Sequence, residues 1–238
     1  MDIVEILGVN VHRVSLCDAA DFLVSKMDEE NPEVCVFTPN AEIIMRAWED
    51  ESFKDVLNQG TLVVPDGIGV VKAAKKLGKP VPERVGGYDL VLSVFDRIRN
   101  TDKSVYLFGG KPGVAEEAAK NLVGIRVCGF HDGYYQSDQE IIDDIKEKKP
   151  DFLLVCLGMK KQEEWILAHK HELNAKVMIG AGGSIDVLAG SVKRAPDFFI
   201  KLGLEWLYRL LCQPKRIIRM MALPKFVITV QFHGKKQK

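Results

Sequence analysis

The sequence predicts an α/β fold: a Rossmann-like, largely parallel sheet with helices on both faces, followed by a basic helical appendage. Two observations point to the sheet. Short apolar runs alternate with helix-period stretches through residues 1–190, and several of those runs end in turns rich in Gly, Pro or Asn. A third, a change of charge after residue 195, sets the appendage apart. In chain order the strands are expected at 34–37, 61–64, 104–108, 125–128, 152–157 and 176–180. Helices are expected near 17–29, 41–50, 67–77, 88–100, 112–122, 137–149 and 161–173. Asn40 can cap the second helix, Pro112 suits a first turn, and Ser137 opens the box-like "SDQE". There is no repeat and no low-complexity linker.

With 238 residues, 47% of them apolar, the chain can bury a real core as one large domain or as one domain plus an extension. The first residues, MDIVEILGVN, lack a basic stretch leading into an apolar one, and no run approaches the roughly 18 apolar residues that span a bilayer. A cytoplasmic protein is expected. Cys17, Cys35, Cys128, Cys156 and Cys212 are odd in number without CxxC spacing, so they read as reduced thiols rather than a zinc or disulfide framework. The zero net charge divides unevenly. Residues 196–238 hold 9 Lys and Arg against 2 acids, leaving 24 basic and 31 acidic residues in 1–195. The expected division is therefore an α/β catalytic domain at 1–195 and a basic amphipathic appendage at 196–238 with an anionic partner.

In such a sheet, ligands bind beyond the carboxyl ends of the strands. Five turns there draw attention: "TPN" at 38–40, "PDG" at 65–67, "GGKPG" at 109–113, "GMKKQEE" at 158–164 and "GAGGSID" at 180–186. Gly109, Gly110, Gly182 and Gly183 let backbone N–H groups approach an anion, which suits a phosphate. Familiar alternatives are missing. The chain has no GxxxxGK[ST], HExxH or GxSxG, and of GxGxxG it has only the fragments "GGKPG" and "GAGG", which give a dinucleotide enzyme weak support. Its acidic clusters lie on polar helical stretches, so no metal is expected, and the favoured reading needs no cofactor. What remains is an isolated carboxylate at a strand end, Asp66, with Arg84 as a basic residue nearby. Such a carboxylate can take a proton from an attacking alcohol while arginines and amides stabilise a departing diphosphate.

Seven blocks then occur in order over almost the whole chain: "FTPNAEI", "VVPDGIGVV", "ERVGGYDL", "YLFGGKPG", "CLGMKKQEEWI", "IGAGGSIDVLAGSVKRAP" and "LGLEWLYRLLCQPKRIIRM". Together they resemble glycosyltransferase family 26, which includes the wall teichoic acid N-acetylmannosaminyltransferases and related transferases of enterobacterial common antigen and capsule synthesis. The resemblance implies an inverting, metal-independent transfer of N-acetylmannosamine from UDP to the 4-hydroxyl of N-acetylglucosamine on undecaprenyl diphosphate. It makes Asp66 the general base, places Thr38 and Asn40 in a substrate-contacting block, and puts Arg84 near the sugar or diphosphate. Gln162 and Glu163 match a polar pair at the pocket. In the family wording that turn reads GxPxQE, and here Lys160 replaces the proline. Asp186 serves equally to cap or brace its helix.

An acceptor held in the bilayer requires a means of reaching it. Phe198, Leu202, Trp206 and Leu210 fall four apart, with Phe199, Leu207 and Leu211 widening the stripe. Arg209, Lys215, Arg216, Arg219 and Lys225 add positive charge, and Ile217, Ile218, Met220 and Met221 extend the apolar content. The expectation is peripheral association with the inner face of a bacterial cell membrane, not nucleic acid binding. Packing of the stripe on the body or on another copy of the chain is the alternative. Arg209, Arg216 and Arg219 are further expected to reach the diphosphate when the tail docks. Rival classes are a nucleotide-sugar or NAD-dependent oxidoreductase and a membrane-surface binding module.

Overall fold

A computed structural model describes residues 1–212 and 221–233. Leu7 and Gly8, at φ of 51° and 81°, turn the chain between two antiparallel strands, β1 (Ile3–Ile6) and β2 (Val9–His12). The elements that follow are α1 (Leu16–Lys26), β3 (Val34–Phe37), α2 (Ala41–Glu49), α3 (Glu51–Asn58), β4 (Leu62–Val63) and α4 (Ile68–Lys76). After them come α5 (Gly87–Ile98), β5 (Ser104–Gly109), α6 (Val114–Asn121), β6 (Arg126–His131), α7 (Asp138–Lys148), β7 (Phe152–Cys156), α8 (Lys161–His169), β8 (Val177–Gly180) and α9 (Ser184–Leu188). The C-terminal part contributes α10 (Asp197–Lys201), α11 (Glu205–Cys212) and α12 (Ala222–His233).

Strands β3 to β8 form one six-stranded sheet in the order β4-β3-β8-β7-β5-β6, parallel throughout. The expected α/β class is borne out. Alternate residues of each strand feed two cores. Phe37, Tyr106, Phe108, Leu153 and Met178 pack on one face with α2, α3, α4, α7, α8 and the hairpin. Val36, Leu107, Phe152, Leu154 and Ile179 pack on the other with α1, α5, α6 and α9. Connections that step towards β4 run over the first face, and those that step towards β6 cross by α5 and α6 on the second, as right-handed crossovers require, with α4 alone of the β4–β5 connection packed on the first.

The hairpin, which the sequence pattern did not announce, closes the β4 edge. Its His12 Nδ1 accepts the Val63 N–H at 3.0 Å, and burial holds the imidazole below its ordinary pKa, in the neutral form that can accept. The expected helix at 41–50 is followed by a second one, because Asp50 ends α2 and its carboxylate then accepts the Phe53 N–H at the start of α3. The tail stripe differs too. The spacing of four is interrupted at Gly203, whose φ of 69° closes α10 with a Leu204 N–H to Phe199 carbonyl bond of 2.7 Å, so α10 and α11 are separate short helices. Helix α12 lies against α2 and α4, where Phe226 and Val230 are buried in the first core.

Candidate active site

The parallel sheet brings all five turns to one edge. Asp66 follows β4, Thr38 and Asn40 follow β3, Gly182 and Gly183 follow β8, Gly158 follows β7, and Gly109 and Gly110 end β5. From β7 the chain turns to α8 on one face, and from β5 to α6 on the other. Where neighbouring loops part in this way a crevice opens at the strand ends. It is a cleft of about 350 Å³ whose walls include Gly110, Lys111, Leu157, Gly158, Gly182 and Gly183. Gly109 is required there. It holds φ at 128°, and a Cβ on it would sit 2.4 Å from the Cys156 carbonyl oxygen.

At the β4 end of the same edge stands a charged cluster. Arg84 Nη1 lies 3.8 Å from Asp66 Oδ1 and 3.4 Å from Glu205 Oε2. The other terminal nitrogen, Nη2, is paired with Asp89, which also pairs with Arg194, and the Arg194 guanidinium lies 5.1 Å over the Tyr88 ring. The loop that carries Asp66 is tied to the one that carries Arg84 by the Val85 N–H to Pro65 carbonyl bond of 3.0 Å. Both side chains of the Asp66–Arg84 pair are about one-quarter exposed, at 27% and 23%, so they meet solvent and any ligand that arrives.

Other residues expected at the site turn their polar atoms inward. Thr38, 6% exposed, donates its hydroxyl to the Gly180 carbonyl at 3.1 Å and so ties the end of β3 to the end of β8. Asn40 caps α2, its Oδ1 accepting the N–H groups of Glu42 and Ile43 at 2.9 and 3.1 Å. The Gly182 N–H donates to Gln162 Oε1. Gln162 and Glu163 are 2% and 1% exposed. Burial pushes the Glu163 carboxyl up to about 7, against the hydrogen bonds of Gln162 and the backbone, which pull it down.

The Lys160 substitution has a structural counterpart. Lys160 sits at φ 72°, a value closed to proline, and its N–H, which proline lacks, is used by Glu163. Its Nζ reaches Asp50 Oδ2 at 2.6 Å, pinning the β7–α8 turn to the α2–α3 junction. Of the tail arginines, Arg209 belongs to the backbone of α11, while Arg216 and Arg219 lie outside the described residues. Asp89, Arg194 and Glu205 were not anticipated. All three fall inside quoted blocks, but nothing in their spacing ties them to Arg84.

Fold and crevice are those of a doubly wound α/β enzyme. A family model described as "Glycosyl transferase WecG/TagA/CpsF family" matches residues 4–238. The chain belongs to that family and is a glycosyltransferase. It is 39% identical to the N-acetylglucosaminyldiphosphoundecaprenol N-acetyl-beta-D-mannosaminyltransferase of Bacillus spizizenii, over 86% of this chain and 81% of the relative. The enzyme of that name from Bacillus subtilis is 34% identical, over 94% and 89% of the two chains. That of Staphylococcus aureus is 33% identical, over 99% and 94%.

Proposed function

We propose that the protein transfers N-acetylmannosamine from UDP to the 4-hydroxyl of N-acetylglucosamine on undecaprenyl diphosphate, inverting the anomeric centre without a metal. The names of the relatives support this sugar and acceptor. The observation that carries the reading is the layout of one strand-end edge, with the Asp66–Arg84 pair at β4 and the glycine-walled cleft between β8 and β5. The end of β4 lies two strand spacings from that of β8, about 10 Å, a span a nucleotide sugar covers. With its diphosphate over the cleft, the donor would turn its sugar towards Asp66.

In this reading Asp66 takes the proton of the acceptor hydroxyl as its oxygen attacks C1 of the donor sugar. The C1–O bond to the diphosphate breaks from the opposite side, and UDP leaves with the electron pair. Arg84 exchanges part of its carboxylate pairing for the charge that develops on the diphosphate. Thr38, Asn40, Gln162 and Glu163 support the site by holding the turns in place.

The same reading places the protein at a membrane surface. Among the described residues no helix is long and apolar enough to cross a membrane. Phe198, Leu202, Trp206 and Leu211 of the α10–α11 region are exposed, and so are Val227, Ile228 and Phe232 of α12. These side chains, with the basic residues of the tail, would rest on an anionic lipid surface.

The decisive assay supplies UDP-N-acetylmannosamine and a lipid diphosphate acceptor ending in N-acetylglucosamine, with and without chelator, and reads the anomeric configuration of the product. Formation of a β-linked disaccharide at equal rates in both conditions is the expected result. Loss of turnover on chelation would refute metal independence, and an α-linked product would refute inversion.

A further inference from the structure

Gln162 and Glu163 form a hydrogen-bonded relay in which every partner has a fixed sense. Glu163 Oε2 accepts the Lys160 N–H at 2.7 Å, and Glu163 Oε1 accepts from Gln162 Nε2 at 2.8 Å. Gln162 Oε1 in turn accepts the Gly182 N–H at 3.0 Å. The relay joins the β7–α8 turn to the β8–α9 turn, and Gly158 and Gly182 from those turns are both cleft walls. Gln162 fits because Gly180 has no side chain: a Cβ there would lie 3.1 Å from Gln162 Cγ and Nε2.

The two ends of a glutamine amide are nearly identical in shape, so packing alone does not decide which end points where. Glu163 decides it. Ionised, as it is above about pH 7, Glu163 offers only acceptors, so the Gln162 NH2 must face it and the Gln162 carbonyl must face Gly182. Neither Gln162 nor Glu163, at 2% and 1% exposure, meets the cleft directly. Their effect on a ligand must travel through the backbone they hold.

We infer that Glu163 is a positioning residue for nucleotide-sugar binding: it fixes the sense of the Gln162 amide, and Gln162 anchors the Gly182 backbone at the cleft wall. The inference rests on the transferase reading above, and its test separates the two. Glu163→Gln is isosteric, but its amide has one acceptor for two donors, so one hydrogen bond of the relay is lost. In the exchanged pair Gln162→Glu/Glu163→Gln, all three bonds are restored. The new Gln accepts from Lys160 and donates to the new Glu, whose other oxygen accepts from Gly182.

The measurements, made at about pH 8.5 where Glu163 is ionised, are UDP affinity by calorimetry, KM for the UDP-sugar, kcat and melting temperature. Glu163→Gln is expected to weaken UDP binding and raise the donor KM about tenfold, the scale of one buried hydrogen bond left unmade, with kcat within about threefold of the parent. The exchanged pair should return both to within about threefold. Unchanged UDP affinity in the single variant would overturn the inference, as would an exchanged pair no better than the single one. If Glu163→Gln fails to fold, the exchanged pair carries the test: parent-like UDP affinity supports the relay, and failure to fold or bind overturns it. A parent protein that binds no UDP would overturn the transferase reading and the relay's role with it, whereas equal UDP binding by all three proteins would overturn the relay alone.

Discussion

Asp66→Asn removes the acid and leaves the shape. The amide occupies the same volume 3.8 Å from Arg84 Nη1 and can still accept a hydrogen bond from the guanidinium. Two losses follow, of different size. The ion pair is about one-quarter exposed on both sides, so its net value is about 1 kcal/mol or less, which bounds any change in ligand affinity to roughly fivefold. In the proposed mechanism the missing proton acceptor acts only in the transition state, where a positioned base contributes about 10² to 10⁴ in rate, or about 3 to 5 kcal/mol of barrier. The variant should therefore bind UDP within about fivefold of the parent while kcat falls at least a hundredfold. Single-turnover transfer to the lipid diphosphate acceptor, with UDP affinity measured on the same preparation, reads both quantities. Retention of more than about a tenth of the parent kcat would show that Asp66 serves Arg84 rather than the acceptor hydroxyl.

Lys160→Pro should lower unfolding stability by about 3 kcal/mol or more, since φ 72° is closed to proline and the N–H to Glu163 is lost, while Lys160→Gly, which adopts that φ freely, should stay within about 1 kcal/mol in the same denaturant titration. Phe226→Ala removes a side chain that is 1% exposed and should cost about 3 to 5 kcal/mol of the docking of α12, seen as faster amide exchange in that helix than in the sheet. Glu163 gives stability a pH signature. Burial raises its carboxyl from the ordinary 4.5 to about 7, with the neighbouring Glu164 adding to the rise. The folded protein then holds a proton that the unfolded chain has released, so this residue's contribution declines as pH rises from about 4.5 to about 7 and is level above. Glu163→Gln should lack that decline when denaturant midpoints are compared across the window.

The sheet was legible because buried parallel strands read as short apolar runs, and 34–37 is found unchanged as β3 while 104–108 is extended only by Gly109. Elements were missed where local sequence gave no punctuation. The hairpin turns on Leu7–Gly8 rather than on an Asn-Gly pair, and its strands are only four residues long. The α2–α3 break is invisible because Asp50 sits in the acidic run "WEDES", which reads as more helix. The appendage misled for the opposite reason. A spacing of four persists through Gly203, and only the left-handed φ of that residue interrupts the helix.

At the candidate site, the sequence pointed to the strand-end edge but not to the roles proposed along it. A ligand contact and an internal strut both call for a polar side chain where a strand passes into the next helix, so Asp66, Thr38 and Gln162 carry the same local signal. What separates them is where the partner lies. Thr38 bonds a carbonyl 142 residues away, and Gln162 an amide 20 residues on, in both cases a backbone group brought close by the strand order. A strut is buried with its partner, because an unpaired polar atom in a dry interior is costly. A group that must meet an incoming hydroxyl has to keep part of its surface open, as Asp66 and Arg84 do. In the proposed mechanism that openness is what Asp66 and Arg84 need, and it appears only once the sheet has set the distances.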